Sequence, residues 1–444
     1  MTNDMTKGNP WKLIICFSIP VLLGNLFQQF YSMADSIIVG QFLGEDALAA
    51  VGSTGSINFL VIGFASGIAQ GFGILISHAF GAKDDKLLKH YVAISLVLGL
   101  VISLLITVLA VSQSRNLLLI MNTPENILDM ANDYITIIYA GITATMAFNI
   151  TSAILRGVGD SKTPLFFLLL SSALNIVLDI LFITVFKSGP EGTAYATVIA
   201  QGISALLCFV YMFCRFELLK IHRDDFYFDW RTIGNMLSTG IPMSINYSVT
   251  AIGVMILQSA VNVFGSSVVA AFTAASKVEA LATQTMPSLG TTMSTYCGQN
   301  LGAKKQERIF DGMKKAFIIV LVISGIAAFI SVVLGEYIVC WFLSDASAEV
   351  IKYATTYLNT ISFFFVPLAM IFLYRTALQG LDEPLIPMLS GIFELICRAL
   401  IIWLCLEPLG YMAACLASPA AWVGAGIPLL ITYLHWKKKM QKAV

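Results

Sequence analysis

Apolar runs long enough to cross a lipid bilayer recur from end to end of this chain, and the charged residues are confined to short stretches between them. A helix needs about 20 predominantly apolar residues to span the hydrocarbon layer, where every backbone N–H and C=O must be satisfied internally. The pattern therefore predicts an all-α polytopic membrane protein. Composition agrees: 57% of the residues are hydrophobic and 12% charged, whereas an ordinary soluble domain carries about 25% charged residues. Such a chain could not cover itself with polar surface in water, so the membrane is its solvent throughout.

Runs bounded by charges and Gly/Pro turns fall near 11–42, 47–80, 89–112, 127–155, 163–186 and 192–214, then near 232–263, 268–300, 312–334, 349–379, 384–406 and 408–436. These twelve predicted spans include several longer than a bilayer requires, so tilt or kinks are expected, with Pro20, Pro242, Pro287 and Pro367 as kink positions. Lysines and arginines crowd every second connection: Lys83, Lys86 and Lys89 in one, Arg215, Lys220, Arg223 and Arg231 in another, Lys304, Lys305 and Arg308 in a third. The opposite connections hold only Arg115, Lys187 and Lys352. The positive-inside rule then puts both termini and the 215–231 segment in the cytoplasm of a multi-pass plasma-membrane protein.

The two halves of the chain repeat. Ile19-Pro20 recurs as Ile241-Pro242, Gly81-Ala82-Lys83 as Gly302-Ala303-Lys304, and Tyr134 and Gly157 as Tyr357 and Gly380, at offsets of 221 to 223 residues. An even number of spans separates each landmark from its copy, so the halves are parallel repeats related by a pseudo-two-fold axis along the membrane normal. The expected organisation is an amino-terminal six-helix lobe over 1–214, a cytoplasmic linker over 215–231 and a carboxy-terminal six-helix lobe over 232–444. Repeats of this kind suit alternating access about a site near the midplane.

Several function classes are disfavoured. Formal net charge is zero, with 26 basic and 26 acidic residues, which leaves no basic footprint for a nucleic acid. The eight cysteines mostly fall inside apolar runs without C-x-x-C spacing and read as packing residues. No phosphate-binding G-x-x-x-x-G-K-[ST], metalloprotease H-E-x-x-H or hydrolase G-x-S-x-G motif occurs, and no Ser/His constellation lies in the spans, so an enzyme is not expected. Energy for transport would come from an ion gradient. No cofactor and no metal beyond Na+ is expected.

The motifs resemble those of the multidrug and toxic compound extrusion (MATE) transporters, of the bacterial NorM and DinF type. The resemblance covers essentially the whole chain. It rests on Ile19-Pro20 with Asp35, on Ser77-His78-Ala79-Phe80-Gly81-Ala82, and on Arg156-Gly157-Val158-Gly159-Asp160 followed by Asn175 and Asp179. Gly192 to Thr197, Gly298-Gln299-Asn300-Leu301-Gly302-Ala303 and Gln379-Gly380 complete it. The resemblance implies a twelve-helix, two-lobed antiporter that exports organic, often cationic, compounds in exchange for Na+ or H+. The alternative is a lipid-linked oligosaccharide flippase of the same wider superfamily.

Ionisable residues inside the membrane are costly enough to be functional candidates by default. Asn175 and Asp179 are spaced i, i+4 and share a helix face. At 1.5 Å per residue, Asp35 lies roughly 10 Å, Asp179 roughly 12 Å and Thr197 roughly 7 Å from the outer ends of their spans, so all three fall in the outer half of one lobe. Two carboxylates, an amide oxygen and a hydroxyl supply hard ligands for a small cation, and two acids at close quarters in low dielectric equally make a protonatable pair. The resemblance assigns the same four, Asp35, Asn175, Asp179 and Thr197, to a cation-coupling site; packing hydrogen bonds are the bland alternative for Asn175 and Thr197.

In the carboxy-terminal half Lys277, Glu279, Glu394 and Arg398 form the expected polar cluster, with Glu394 and Arg398 at i, i+4 neutralising each other. Aligned through Gly157 and Gly380, Arg398 takes the place of Asn175; aligned through Gly192 and Gly410, Glu394 falls within one residue of it. Neither register duplicates the carboxylate pair, which predicts a single cation site. Gln28, Tyr31, Tyr139, Met146, Asn149, Met255, Gln258 and Glu279 are the candidates to line a cavity for flat, apolar cations. His78 and His90 read as surface or interfacial residues. Small organic molecules and the bilayer are the expected partners, and the two-lobed chain is expected to work as a monomer.

Overall fold

The structure is a computed structural model, which describes residues 4–121, 123–342 and 347–442. Among these residues every regular element is helical. In order they are α1 (Pro10–Leu43), α2 (Glu45–Ala82), α3 (Asp85–Ile120), α4 (Glu125–Ala140), α5 (Ile142–Gly157), α6 (Lys162–Thr184), α7 (Pro190–Arg215) and α8 (Trp230–Asn262). There follow α9 (Ser266–Thr283), α10 (Thr285–Gly302), α11 (Gln306–Phe329), α12 (Gly335–Phe342), α13 (Ala348–Ser362), α14 (Phe365–Gly380), α15 (Leu385–Leu409) and α16 (Tyr411–Lys442).

By length and composition nine helices among the described residues can cross a membrane, and up to eleven spans result if each of two bent pairs is one crossing. Those pairs are α4 with α5, bent by 45°, and α13 with α14, bent by 53°. The remaining expected span, 268–300, folds as α9 and α10, whose Thr, Ser, Gln and Asn content makes it the most polar of the twelve. A five-residue π-helical stretch, Ile330–Leu334, joins α11 to α12.

The two broken spans bend at Gly141 and at Phe363-Phe364, the second just before the expected kink position Pro367. Pro20 and Pro242 sit inside continuous helices, α1 and α8. Pro367 and Pro287 each occupy the third position of the helix after a break, where a missing N–H costs nothing because no carbonyl precedes it to be bonded.

The repeat is written in the backbone. Left-handed or otherwise positive φ occurs at Gly44 and Gly265, Lys83 and Lys304, Gly159 and Asp382, and Lys187 and Gly410. These pairs are offset by 221, 221, 223 and 223 residues, so the chain turns by the same device at the same place in each half. Helix crossings repeat as well: a Cβ on Gly157 would lie 3.0 Å from the carbonyl oxygen of Gly73, and one on Gly380 would lie 2.5 Å from that of Ser294.

The described chain divides into two compact units. One comprises Met5, Ile19–Ser248 and Gly302–Lys304 together with residue 4; the other comprises Thr6–Ser18, Val249–Leu301 and Lys305 onward. These units differ from the halves 1–214 and 232–444 chiefly at α1 and α8. The start of α1 belongs to the second unit, where Lys305 Nζ donates to Thr6 O at 2.8 Å, Arg308 to Gly8 O at 3.0 Å and Ser18 Oγ to Thr292 Oγ1 at 2.9 Å. The start of α8 belongs to the first unit, where it lies directly on α2. A Cβ on Gly67 would come within 2.5 Å of Ser244 Cα, and one on Gly71 within 2.5 Å of Gly240 Cα. Gly63, Gly67 and Gly71 form a small-residue stripe at i, i+4, i+8, the pattern by which membrane helices bring backbones together where no hydrophobic effect drives them.

The linker after α7 carries two short 3-10 turns, Glu217–Leu219 and Arg223–Asp225. His90, expected near the surface, is buried beneath it: its ring stacks on Tyr227 at 3.8 Å, and Nδ1 lies 2.9 Å from Asp225 O. Asp229 caps the first turn of α8. The hydrogen bond from the Thr232 hydroxyl, with those from the Arg231 and Thr232 N–H groups, holds its carboxyl below the usual carboxylate range.

Candidate functional site

Three helices of the first unit bring the predicted cation-site residues together, and a fourth adds to them. Asp35 comes from α1, Asn175 and Asp179 from successive turns of α6, and Thr197 from the second turn of α7. All four are buried, Asp179 completely. The site is built from hydrogen bonds that run in one direction. The Tyr31 and Thr197 hydroxyls lie 3.4 Å apart, and Thr197 donates through both its N–H and its hydroxyl to the Asn175 amide oxygen at 3.2 Å. The Asn175 amide nitrogen then donates to Asp179 Oδ2 at 3.1 Å. Asn175 thus passes the orientation of α7 on to the carboxyl of Asp179.

The Asp35 and Asp179 carboxyls lie within hydrogen-bonding reach of each other. A carboxyl donates only when protonated, so a hydrogen bond between two of them holds one proton. Each also keeps a buried oxygen, Oδ1 in both cases, without a hydrogen-bond partner among the described residues. A buried oxygen in that state costs on the order of 1–3 kcal/mol until something occupies it. Tyr134, on α4, is the fourth helix's contribution: it is buried close enough to Asp35, Asp179 and Tyr31 for their charges to act on it. Sequence reading used Tyr134 only as a repeat landmark. A signal was there, since its copy Tyr357 also reaches an acid.

The candidates for a cavity lining separate. Tyr31 belongs to the buried site just described. Met146 is packed in the apolar core with Phe72, Ile150 and Ile154, and Tyr139 is fully enclosed in a second core cluster with Ile135, Ile138 and Ile142, so neither lines an open space. Both lie on the tightly packed faces of the bent α4–α5 pair, which spacing along the sequence did not distinguish from an open face. Gln28 is exposed, and Asn149 is half-buried with its amide donating to Ser66 Oγ at 3.0 Å. In the second unit Met255 and Gln258 are half-buried, and Gln258 donates to Asn262 Oδ1 at 2.9 Å.

The carboxy-terminal cluster has a different membership from the one expected. Glu394 bonds Arg398 at 3.2 Å and Arg375 of α14 at 2.9 Å. Glu279, half-buried on α9, accepts from the Tyr357 hydroxyl at 2.7 Å. Lys277 is exposed on α9 and stands outside this group: two residues from Glu279 on a helix, it faces away. Arg375 takes its place beside Glu394. The register between halves is now fixed, because the positive-φ pairs on both sides of α6 and α15 share an offset of 223; Arg398 corresponds to Asn175 and Ile402 to Asp179.

Asp160 of the Arg156-to-Asp160 motif is a cap. Its carboxylate accepts from Lys162 N at 2.9 Å, Thr163 N at 3.1 Å and Thr163 Oγ1 at 2.6 Å, which starts α6 at a defined rotation and so aims Asn175 and Asp179.

The sequence pattern of the MatE family matches this chain twice, over 20–181 and 242–404, in register with the repeat. The chain belongs to the MATE family of multidrug transporters. A Bacillus subtilis (strain 168) relative named as a probable multidrug resistance protein, YpnP, is 30% identical over 366 residues, 82% of this chain and 80% of its own. The probable multidrug resistance protein NorM of Thermotoga maritima is 23% identical over 423 residues, 93% and 88% of the two chains. A solved MATE family transporter of the MOP superfamily, described as outward-facing, superposes with a TM-score of 0.90 over 99% of this chain and 98% of its own, at 24% identity, which bears on the fold alone. This MATE protein is therefore a multi-pass membrane transporter with the family's two-lobed fold, and its family is one of transporters rather than enzymes.

Proposed function

We propose that this MATE protein is a cation-driven antiporter that exports organic, often cationic, compounds, and that the Asp35–Asp179 pair binds and releases the coupling ion. The observation that carries this reading is the pair itself: two buried carboxyls in mutual hydrogen-bonding reach, each with an oxygen unpartnered among the described residues, beside Tyr31, Tyr134, Asn175 and Thr197. No basic side chain among the groups acting on the pair neutralises it. Such a pair holds one proton in common and releases it when the acids separate or a cation enters between them. The closeness of two acids with no basic side chain acting on them makes H+ the ion this reading favours over Na+.

Asn175 and Thr197 hold Asp179 in place, so ion binding on α1 and α6 is felt on α7 through a single chain of hydrogen bonds. The charge pattern of the connections supports cytoplasmic termini, which puts the site in the outer half of the membrane, accessible to ions arriving from outside. Protonation from outside then lowers affinity for a cationic substrate and drives its release there. The protein works as a monomer in the plasma membrane.

Uptake of a fluorescent organic cation into everted vesicles, driven separately by a pH gradient and by a sodium gradient, tests this. Uptake driven by the pH gradient and abolished in Asp179→Asn is expected; full activity of that variant would overturn the assignment, and uptake driven by sodium alone would make Na+ the ion.

A further inference from the structure

The second unit holds a counterpart of the amino-terminal site that the proposed function leaves unused. Tyr357 corresponds to Tyr134 at an offset of 223, and each tyrosine reaches an acid of its own unit. Arg398 stands where Asn175 stands in the repeat. Its guanidinium reaches across to α8 and lies against Gly253, so closely that a Cβ there would meet Nη1 at 2.2 Å. At the 222-residue offset of Ile19-Pro20 and Ile241-Pro242, Gly253 corresponds to Tyr31. Where the first unit has a tyrosine hydroxyl, the second has a glycine and a positive charge filling the room it leaves.

The charges around this guanidinium can be followed one by one. Glu394 is closed by Arg375 at 2.9 Å, and its bond to Arg398 is the longer, at 3.2 Å. Arg398 Nε has no partner among the described residues, although the residue is buried. Glu279 is the acid left over: Tyr357 donates to it and the Arg398 charge acts on it, with Tyr411 and Cys415 beyond Tyr357. An arginine held by weak hydrogen bonds at such a place serves through its charge more than through its donors.

We propose that Arg398 is a tethered stand-in for the exchangeable cation: placed where Asn175 stands in the first unit and lying against Gly253, it gives the neighbouring Glu279–Tyr357 site a fixed positive charge in place of a free ion, and so confines ion exchange to the first unit. This rests on the reading of Asp35 and Asp179 as the exchanging pair. Removing the guanidinium while leaving Arg375 on Glu394 converts the second site into one that takes a free monovalent cation or a proton on Glu279.

The test uses purified full-length protein carrying Asp35→Asn and Asp179→Asn, so that the first site is silent. Melting temperature is followed against Na+, against guanidinium and against pH between 8 and 6. Adding Arg398→Ala is expected to create a cation- or proton-dependent rise of about 2–4 °C at roughly tenfold the dissociation constant, absent with Arg398 in place and lost again with Glu279→Gln. Arg398→Gln, which keeps a hydrogen-bonding side chain without charge, carries the same expectation if the alanine variant does not fold. Equal cation dependence with and without Arg398 would overturn the proposal. Failure of the amino-site reading shows separately, as unchanged ion dependence between the native protein and Asp35→Asn/Asp179→Asn.

Discussion

Among single residues, the acids inside the membrane could be read directly from the sequence, because an unpaired Asp in an apolar run has few structural explanations. Their partners were harder to find. Asn175 and Thr197 entered as candidates through helix spacing and family resemblance, and the structure joins them to Asp179 in one hydrogen-bonded chain. Tyr134 and Arg375 were missed because each lies on a helix whose sequence neighbours say nothing about which distant acid it meets; Arg375 looked like one more charge near the end of a span. The chain of bonds predicts graded effects. Asn175→Leu removes the hydrogen bonds to Asp179 Oδ2 and from Thr197, a loss of about 1–3 kcal/mol. It is expected to weaken apparent affinity for the coupling ion by roughly tenfold or more while the protein still folds, read as a shift in the half-saturating ion concentration for vesicle uptake. Tyr134→Phe keeps the ring and removes the hydroxyl, so transport persists and the pH for half-maximal uptake moves; an unchanged pH profile would remove Tyr134 from the site.

For the helices, apolar runs bounded by charges and turns marked twelve expected spans; among the described residues up to eleven qualify as crossings by length and composition, and the twelfth folds as α9 with α10. What hydropathy could not give was where helices break. The bends at Gly141 and Phe363-Phe364 follow from packing and from the repeat, whereas Pro20 and Pro242 remain inside continuous helices. Close crossings were equally invisible: the Gly63, Gly67, Gly71 stripe is a common pattern, and only contact with Gly240 and Ser244 gives it meaning. Gly71→Leu is expected to force α2 and α8 apart and lower the melting temperature in detergent, with an overpacking cost of about 1–3 kcal/mol or more. Gly52→Leu, at a position where a Cβ meets nothing within 4 Å, serves as the control and is expected to leave it unchanged. Asp160→Ala removes the cap of α6 at a cost of about 1 kcal/mol. Because α6 carries both Asn175 and Asp179, transport is expected to fall along with the melting temperature, and Asp160→Asn, which retains a capping oxygen, is expected to rescue both.

For the whole molecule, the duplication explains why so much was legible. Four pairs of positive-φ residues, the paired crossings at Gly157 and Gly380 and the double match to the MatE pattern all report offsets of 221 to 223, so one half of the sequence checks the other. The two halves differ in the charges near the middle of their helices. The first unit has an acid pair with no counter-charge among the groups acting on it, and the second has acids matched by Arg375 and Arg398. The central claim is that the Asp35–Asp179 pair exchanges its proton against substrate, and the most direct measurement is proton release when an organic cation is added to purified protein in weak buffer with a pH indicator. Release from the native protein, absent from Asp35→Asn/Asp179→Asn although that variant still binds the cation, is the expected result. Equal release from both proteins would contradict it and place the coupling proton elsewhere.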